Sequence, residues 1–252
     1  MQNKKIVTLV TGGNRGMGLE LVRELSQQGQ QVVMGARQLA KGELAVKTLA
    51  QEGLTVGLVQ LDVTDHESVV AAAQTIEAKY GYLTILINNA GAVFDFRQQP
   101  SVVSETSLQA AMAVNYFGLI DVTQQMLPLL RQALQAKIIN ISSMMGSKTE
   151  ALNPASEVYN AVAVGYQSAK AAANMYTVQL AKELRQQTPI ITVNAIDPGM
   201  VATEFGGATP EMAKKMGGQP VEFGVKRTIE LATDLVDKTT ATFSNTHGIV
   251  PW

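Results

Sequence analysis

LVTGGNRGMGLELV, residues 9–22, sets Gly12, Gly16 and Gly18 between a β-branched apolar run and the start of a helical pattern. Glycines so placed let the backbone turn tightly, come close to a ligand and pack a helix against a sheet. The helix that follows offers free N–H groups and the positive end of its dipole to a pyrophosphate. Glycines in a strand-to-helix turn can also serve packing alone. A strand directly before and a helix directly after favour nucleotide binding over that plainer reading.

Outward from this turn, short apolar runs alternate with longer helical patterns. Residues 5–10, 31–36, 55–61, 83–88, 137–142 and 190–196 read as buried strands. Helical periodicity falls near 17–28, 39–52, 66–80, 104–132 and 158–186. Strands that are apolar on both faces, each followed by a helix, predict an α/β fold: a doubly wound parallel sheet with helices on both faces. The pattern runs through residues 1–252 as a single domain, without internal repeat or long linker. Two stretches interrupt it. Residues 143–157 form a long polar connection, and residues 198–219 carry five glycines and two prolines. Both follow the carboxyl ends of strands, where open α/β sheets bind ligands.

Composition narrows the chemistry. The chain has 252 residues, 46% hydrophobic and 16% charged, enough for one large core. The net charge of −1, with both signs scattered, gives no electrostatic footprint for nucleic acid or an anionic membrane. With no cysteine there is no disulfide, thiolate nucleophile or cysteine-ligated metal, and two histidines far apart in sequence, His66 and His247, argue against a histidine-rich metal centre. The N-terminal apolar run is too short for a signal peptide or membrane span, so a cytoplasmic enzyme or binding protein is expected.

GYQSAK, residues 165–170, places Tyr166 four residues before Lys170, one helical turn apart on one face. A phenol titrates near 10 and is a poor acid at neutrality. At ~4 Å and an effective dielectric of about 20, a cation attracts the phenolate by roughly 4 kcal/mol. Before desolvation takes some back, that lowers the pKa by about three pH units, bringing a tyrosine into reach as a general acid or base. Tyr159 is a rival base, but Ala163 stands where its lysine would be.

The glycine turn has the spacing T-G-x-x-x-G-x-G rather than G-x-G-x-x-G, and that form resembles the short-chain dehydrogenase/reductase family. NNAG (88–91), VNYFG (114–118), ISS (141–143), YQSAK (166–170) and DPGMVAT (197–203) follow in the order of that family's motifs. The resemblance implies a single-domain Rossmann-type reductase with Tyr166 as general acid/base. It implies that Lys170 lowers the tyrosine pKa and holds the nicotinamide ribose. Ser143 would hydrogen-bond the substrate oxygen, and Asn115 would kink its helix and hold a relay water. Cofactor contacts are implied for Gly12, Asn14, Arg15, Gly16, Met17 and Gly18 in the first turn, and for Asp62 and Val63 after the third strand. Asn89, Ala90 and Gly91 would lie along the cofactor's ribose, with Asn88 as either a further contact or a clamp between strands. Pro198, Gly199, Val201 and Thr203 would meet the carboxamide. Each also has a plainer reading, such as a turn residue for Ser143 or helix caps for Asp62 and Thr203, with Asp65 the better cap near Asp62.

The second strand ends in no acidic residue that would bond a ribose 2′-hydroxyl; Arg37 stands there instead, and Arg15 lies within the glycine turn. An arginine fork matches a phosphate, which favours NADP(H) over NAD. The expected activity is reversible reduction of a ketone or aldehyde to an alcohol. The rival reading is a non-catalytic NADP(H)-binding regulator of the same fold; use of the turn for S-adenosylmethionine is disfavoured by the two arginines. The run from Ser143 to Tyr166 is longer than in plain members of the family and resembles the carbonyl-reductase branch, as does the ending GIVPW. This leaves monomer or homo-oligomer open. Met144, Met145, Tyr159, Met200 and Phe205 are candidates to line an apolar substrate pocket, with 198–219 as a closing segment or a loose surface loop.

Overall fold

The computed structural model describes residues 5–252. Strand β1 (Val7–Thr11) is buried throughout and leads through the glycine turn into helix α1 (Gly16–Gln27). Then follow β2 (Gln31–Ala36), α2 (Leu39–Gln51), β3 (Gly57–Gln60), α3 (His66–Tyr80) and β4 (Ile85–Asn88). Asp65 caps α3 by accepting the Glu67 N–H at 3.1 Å, and Gly81 ends it in the left-handed region at φ 74°. The Asp65 cap is thus the one that the sequence favoured over Asp62.

Beyond β4, helix α4 (Glu105–Met112) passes through a π-helical turn, Ala113–Phe117, into α5 (Gly118–Leu130), and β5 (Gln135–Ile141) follows. The expected single helix over 104–132 is therefore one rod with a widened turn around Asn115. The polar connection after β5 contains a 3₁₀ turn (Met144–Gly146) and α6 (Lys148–Leu152). Helix α7 (Val164–Leu184) starts later than the periodicity from 158 suggested, because 154–160 form turns. Strand β6 (Ile190–Ile196) precedes a segment that holds a 3₁₀ turn (Phe205–Gly207) and α8 (Pro210–Lys215). Helix α9 (Val221–Thr233), β7 (Phe243–Asn245) and β8 (Gly248–Ile249) complete the order.

The strands form one sheet in the order β3-β2-β1-β4-β5-β6-β7-β8, parallel except for the last pair. Connections run one way from β1 to β3 and the other way from β4 onward, so a crevice opens between the carboxyl ends of β1 and β4. Side chains alternate across the pleat. On one face Leu9, Val33, Leu86 and Ile138 pack with Val69 and Ile76 of α3, Val122 and Met126 of α5, and Leu180 and Leu184 of α7. On the other, Val10, Val32, Ile87 and Ile139 pack with Leu21 and Leu25 of α1, Leu49 of α2 and Ile229 of α9. Helices thus cover both faces. No helix among the described residues is long and apolar enough to cross a membrane.

A buried chain of amides and hydroxyls ties the central strands to the two long helices. Asn88 Nδ2 donates to Thr123 Oγ1 and to Asn140 Oδ1, both at 2.9 Å, and Asn140 Nδ2 donates to Thr177 Oγ1 at 2.8 Å. Thr123 and Thr177 each donate to a carbonyl one turn back in their own helix. Asn88 is therefore the clamp between strands.

Candidate active site

The glycine turn is held in shape by the end of β4. Thr11 Oγ1 accepts the N–H groups of Asn89 and Ala90 at 2.9 Å, while Asn89 Nδ2 donates to the carbonyls of Thr11 at 2.8 Å and Gly12 at 3.3 Å. Gly12 and Gly16 sit at φ 62° and 52°, where L side chains are strained. A Cβ on Gly18 would lie 2.2 Å from the Gly12 carbonyl oxygen, so only glycine allows α1 to start this close to the turn. Helix α1 has no side-chain cap and no acidic residue in its first turn, which leaves its N-terminal amides facing the cradle. Uncapped amides beside a glycine concavity fit a dinucleotide pyrophosphate.

Around this cradle lie the other expected contacts. Met17 packs partly into the core, and Asn14 is half-buried in the turn. Arg37 is exposed at the end of β2. Arg15 is also exposed and pairs with Glu204 at 3.3 Å, a contact weak enough in water to give way to a phosphate. Asp62 accepts from the Thr64 N–H at 3.0 Å and hydroxyl at 2.8 Å, forming a local turn, and Val63 packs under Gly118.

On the β4 side, Asn115 Oδ1 accepts the Ala92 N–H at 3.1 Å and its Nδ2 donates to the Ala92 carbonyl at 2.8 Å. A Cβ on Gly91 would lie 3.0 Å from Asn115 Oδ1 and 3.7 Å from Lys170 Nζ, so these three residues meet at one point. Lys170 is buried, donates to the Ile141 carbonyl at 2.6 Å, and its ammonium lies 5.6 Å from the centroid of the Tyr166 ring.

Tyr166 is buried beside Lys170, and the Ser143 hydroxyl hydrogen-bonds its phenol. Ser143 caps the 3₁₀ turn by accepting the Met145 N–H at 3.2 Å. That turn lies against α7: a Cβ on Gly146 would be 2.8 Å from Lys170 backbone. The buried carboxylate of Asp197 accepts the Met144 N–H at 2.8 Å and so fixes the same turn from β6. Tyr159, by contrast, is about half exposed at 46%. The rival base therefore lacks both a lysine and an enclosed setting.

One expectation is corrected. The tyrosine was expected to become more acidic than a free phenol. Its pKa is instead raised, first by burial; the Ser143 hydrogen bond lowers it and the Asp197 charge raises it further. Burial also lowers Lys170, from 10.5 to about 8. A cation at ~4 Å in an effective dielectric of about 20 favours the phenolate, but desolvation of a buried phenolate outweighs that gain. In this structure Lys170 aims its ammonium at a backbone carbonyl rather than at the phenol oxygen.

The segment after β6 reaches across to the glycine turn. Gly199 adopts φ 69°, Val201 bridges to Gln219, and the Thr203 methyl lies 3.4 Å from where a Cβ on Gly16 would be. Pro198 directly follows Asp197 at the end of β6. Phe205 places its ring edge-on to Tyr166, with centroids 5.8 Å apart. Met200 and Phe205 are exposed beside this wall.

A family model described as short chain dehydrogenase matches residues 6–214. The chain belongs to the short-chain dehydrogenase family. It is 33% identical over 224 residues to the short-chain dehydrogenase anuI of Penicillium roqueforti, covering 86% of this chain and 87% of that one. With human carbonyl reductase (NADPH) 1 it shares 38% identity over 140 residues, 55% of this chain and 49% of the relative. Among solved structures, the NADPH-bound carbonyl reductase from chicken fatty liver superposes with a TM-score of 0.83 at 28% identity, covering 98% of this chain and 100% of that one. Within this short-chain dehydrogenase, the site includes residues the sequence reading did not assign. Thr11, Asp95 and Asp197 each fix backbone at the site, and each is buried. Thr11 stands in the T-G spacing and Asp197 in DPGMVAT, so motif position was the available signal; Asp95 lies in none of the quoted motifs.

Proposed function

We propose that the protein is an NADP(H)-dependent reductase of ketones or aldehydes, with Tyr166 supplying the proton. The observation that carries this reading is the meeting of the Tyr166 phenol, the Ser143 hydroxyl and the buried Lys170 beside the glycine cradle. The nicotinamide, when bound, supplies a hydride to the carbonyl carbon or takes one from an alcohol. The chain's own residues handle the oxygen and its proton. Ser143 and Tyr166 orient the substrate oxygen. Tyr166 O–H breaks as the new substrate O–H forms, leaving a phenolate. That phenolate is stabilised by the neighbouring Lys170 cation and is reprotonated from solvent by way of the Lys170–Asn115 end of the site. Burial and the Asp197 charge keep the phenol protonated in the resting site, so the proton for reduction is in place, while the same shift raises the cost of giving it up. Arg15 and Arg37 are the residues to take the 2′-phosphate. Mammalian and avian relatives named carbonyl reductase support the substrate class.

The test is direct. NADPH oxidation is followed by absorbance with a panel of ketones and aldehydes, for wild type and Tyr166→Phe. Wild type is expected to turn over at least one carbonyl, and the variant to lose about 10²-fold or more while binding NADPH unchanged. Full activity in the phenylalanine variant would remove the assignment. No turnover with any carbonyl would favour the regulator reading.

A further inference from the structure

Helix α7 carries Tyr166 and Lys170, yet it begins without a cap of its own. Ala163 stands at its N-cap position and offers no side-chain acceptor. The amides of its first turn have no partner inside the helix, and an N-cap side chain ordinarily accepts from the second or third of them. In this helix those two amides belong to Gly165 and Tyr166. Both are taken by Asp95, a residue on the loop after β4: Oδ2 accepts the Gly165 N–H at 2.5 Å and Oδ1 lies 3.4 Å from the Tyr166 nitrogen. The other half of a capping arrangement is made locally, since the Ala163 N–H donates to Gln167 Oε1 at 3.1 Å.

We propose that Asp95 is a positioning residue for the catalytic tyrosine, a cap supplied from a distant loop that fixes where α7 begins and hence where the phenol points. Asp95 is wholly buried. A carboxylate that leaves water needs hydrogen-bond donors, and the amides and positive dipole end of α7 are the donors at hand. Gly165 makes the approach possible, because a Cβ there would sit 3.1 Å from Asp95 Oδ2 and 3.2 Å from Leu108. The loop is tied on both sides of Asp95. Asn115 holds Ala92 with two hydrogen bonds, and the Arg97 N–H donates to the Val162 carbonyl at 2.8 Å. Loop and helix therefore form one unit at the substrate side of the site. A shift of about 1 Å in a reacting group lowers turnover by about 10²-fold, so a cap that sets this phase acts on rate more than on cofactor binding.

The inference rests on the reductase reading for its effect on turnover, but its geometry is tested without any substrate. Amide hydrogen exchange by NMR on the full chain is expected to show Gly165 and Tyr166 protected in wild type, although first-turn amides ordinarily exchange freely. In Asp95→Ala that protection is lost while the amides of β4 and β5 keep theirs. In the carbonyl assay, Asp95→Ala is expected to lower kcat about 10- to 10²-fold with NADPH affinity held, and Asp95→Asn, which keeps an acceptor oxygen, to recover part of it. Unprotected Gly165 and Tyr166 amides in wild type would overturn the inference. So would an Asp95→Ala variant with wild-type kcat. If wild type turns over no carbonyl, the reductase reading fails and the exchange result alone decides the cap.

Discussion

Gly18→Ala tests whether the first turn is a binding cradle shaped to close limits. The added Cβ would meet the Gly12 carbonyl oxygen at 2.2 Å and Asn89 Nδ2 at 2.6 Å. Ordinary carbon contacts lie near 3.5–4.0 Å, so the turn and helix must part by more than ~1 Å. Relief is hard to find, because Asn89 is itself bonded to the Thr11 and Gly12 carbonyls and any retreat breaks those bonds. Alanine gains about 1 kcal/mol in a helix over glycine, while overpacking costs about 1–3 kcal/mol and the lost Asn89 bonds about 1 kcal/mol each. The clash wins, by about 2–4 kcal/mol with both Asn89 bonds lost. At about 2–4 °C per kcal/mol for a chain of this size, Tm falls by about 4–16 °C. NADPH affinity, measured by fluorescence titration, falls at least about 10-fold, since 1.4 kcal/mol corresponds to one decade. Gly29→Ala is the control. Its Cβ meets nothing within 4 Å, but φ is 81°, so it is expected to lower Tm and leave NADPH affinity alone. A Gly18→Ala protein that binds NADPH within twofold of wild type would refute the reasoning.

Two further outcomes are expected. Arg37→Asp weakens NADPH much more than NADH in the same titration, because an exposed guanidinium at the end of β2 is replaced by a charge that repels the 2′-phosphate; equal losses for both cofactors would contradict the assignment. Carbonyl reduction falls as pH rises through about 8, where the buried Lys170 gives up its proton; a kcat profile that stays flat well into the alkaline range would contradict it. The same depressed value has a stability sign. The unfolded chain holds the lysine proton up to 10.5, so Lys170 lowers stability below about 8, and that penalty is relieved as pH climbs between the two values.

Much of the fold was legible because buried parallel strands are written as apolar runs. The six expected strands all exist, and the five expected helical regions are all helical. What escaped is short or interrupted. Strand β7 has three residues, too few for a period, and Gly224 sits inside α9 because Val201 packs where its side chain would be, 2.5 Å away. At the site, spacing brought Tyr166 and Lys170 to one helix face, and the structure keeps them together. Spacing did not reveal how burial bears on the phenol, since desolvation depends on neighbours from β5, β6 and α7 at once. Nor did it reveal Asp95, whose partners lie far along the chain and whose importance is visible only where two segments touch.

The buried amide and hydroxyl chain from Thr123 through Asn88 and Asn140 to Thr177 has a mechanical meaning. Sliding α5 along the sheet by one residue would break the Asn88–Thr123 bond, and sliding α7 the Asn140–Thr177 bond, each leaving a buried amide N–H away from water, so both helices are held in register with the strands they cover. The floor beneath Tyr166 and Lys170 is thereby stiff. The stretch after Gly199 is held differently, by a β-bridge at Val201, by Val201 against Gly224 and Phe205 against Tyr166, and by a solvent-bathed pair of charges at Glu204.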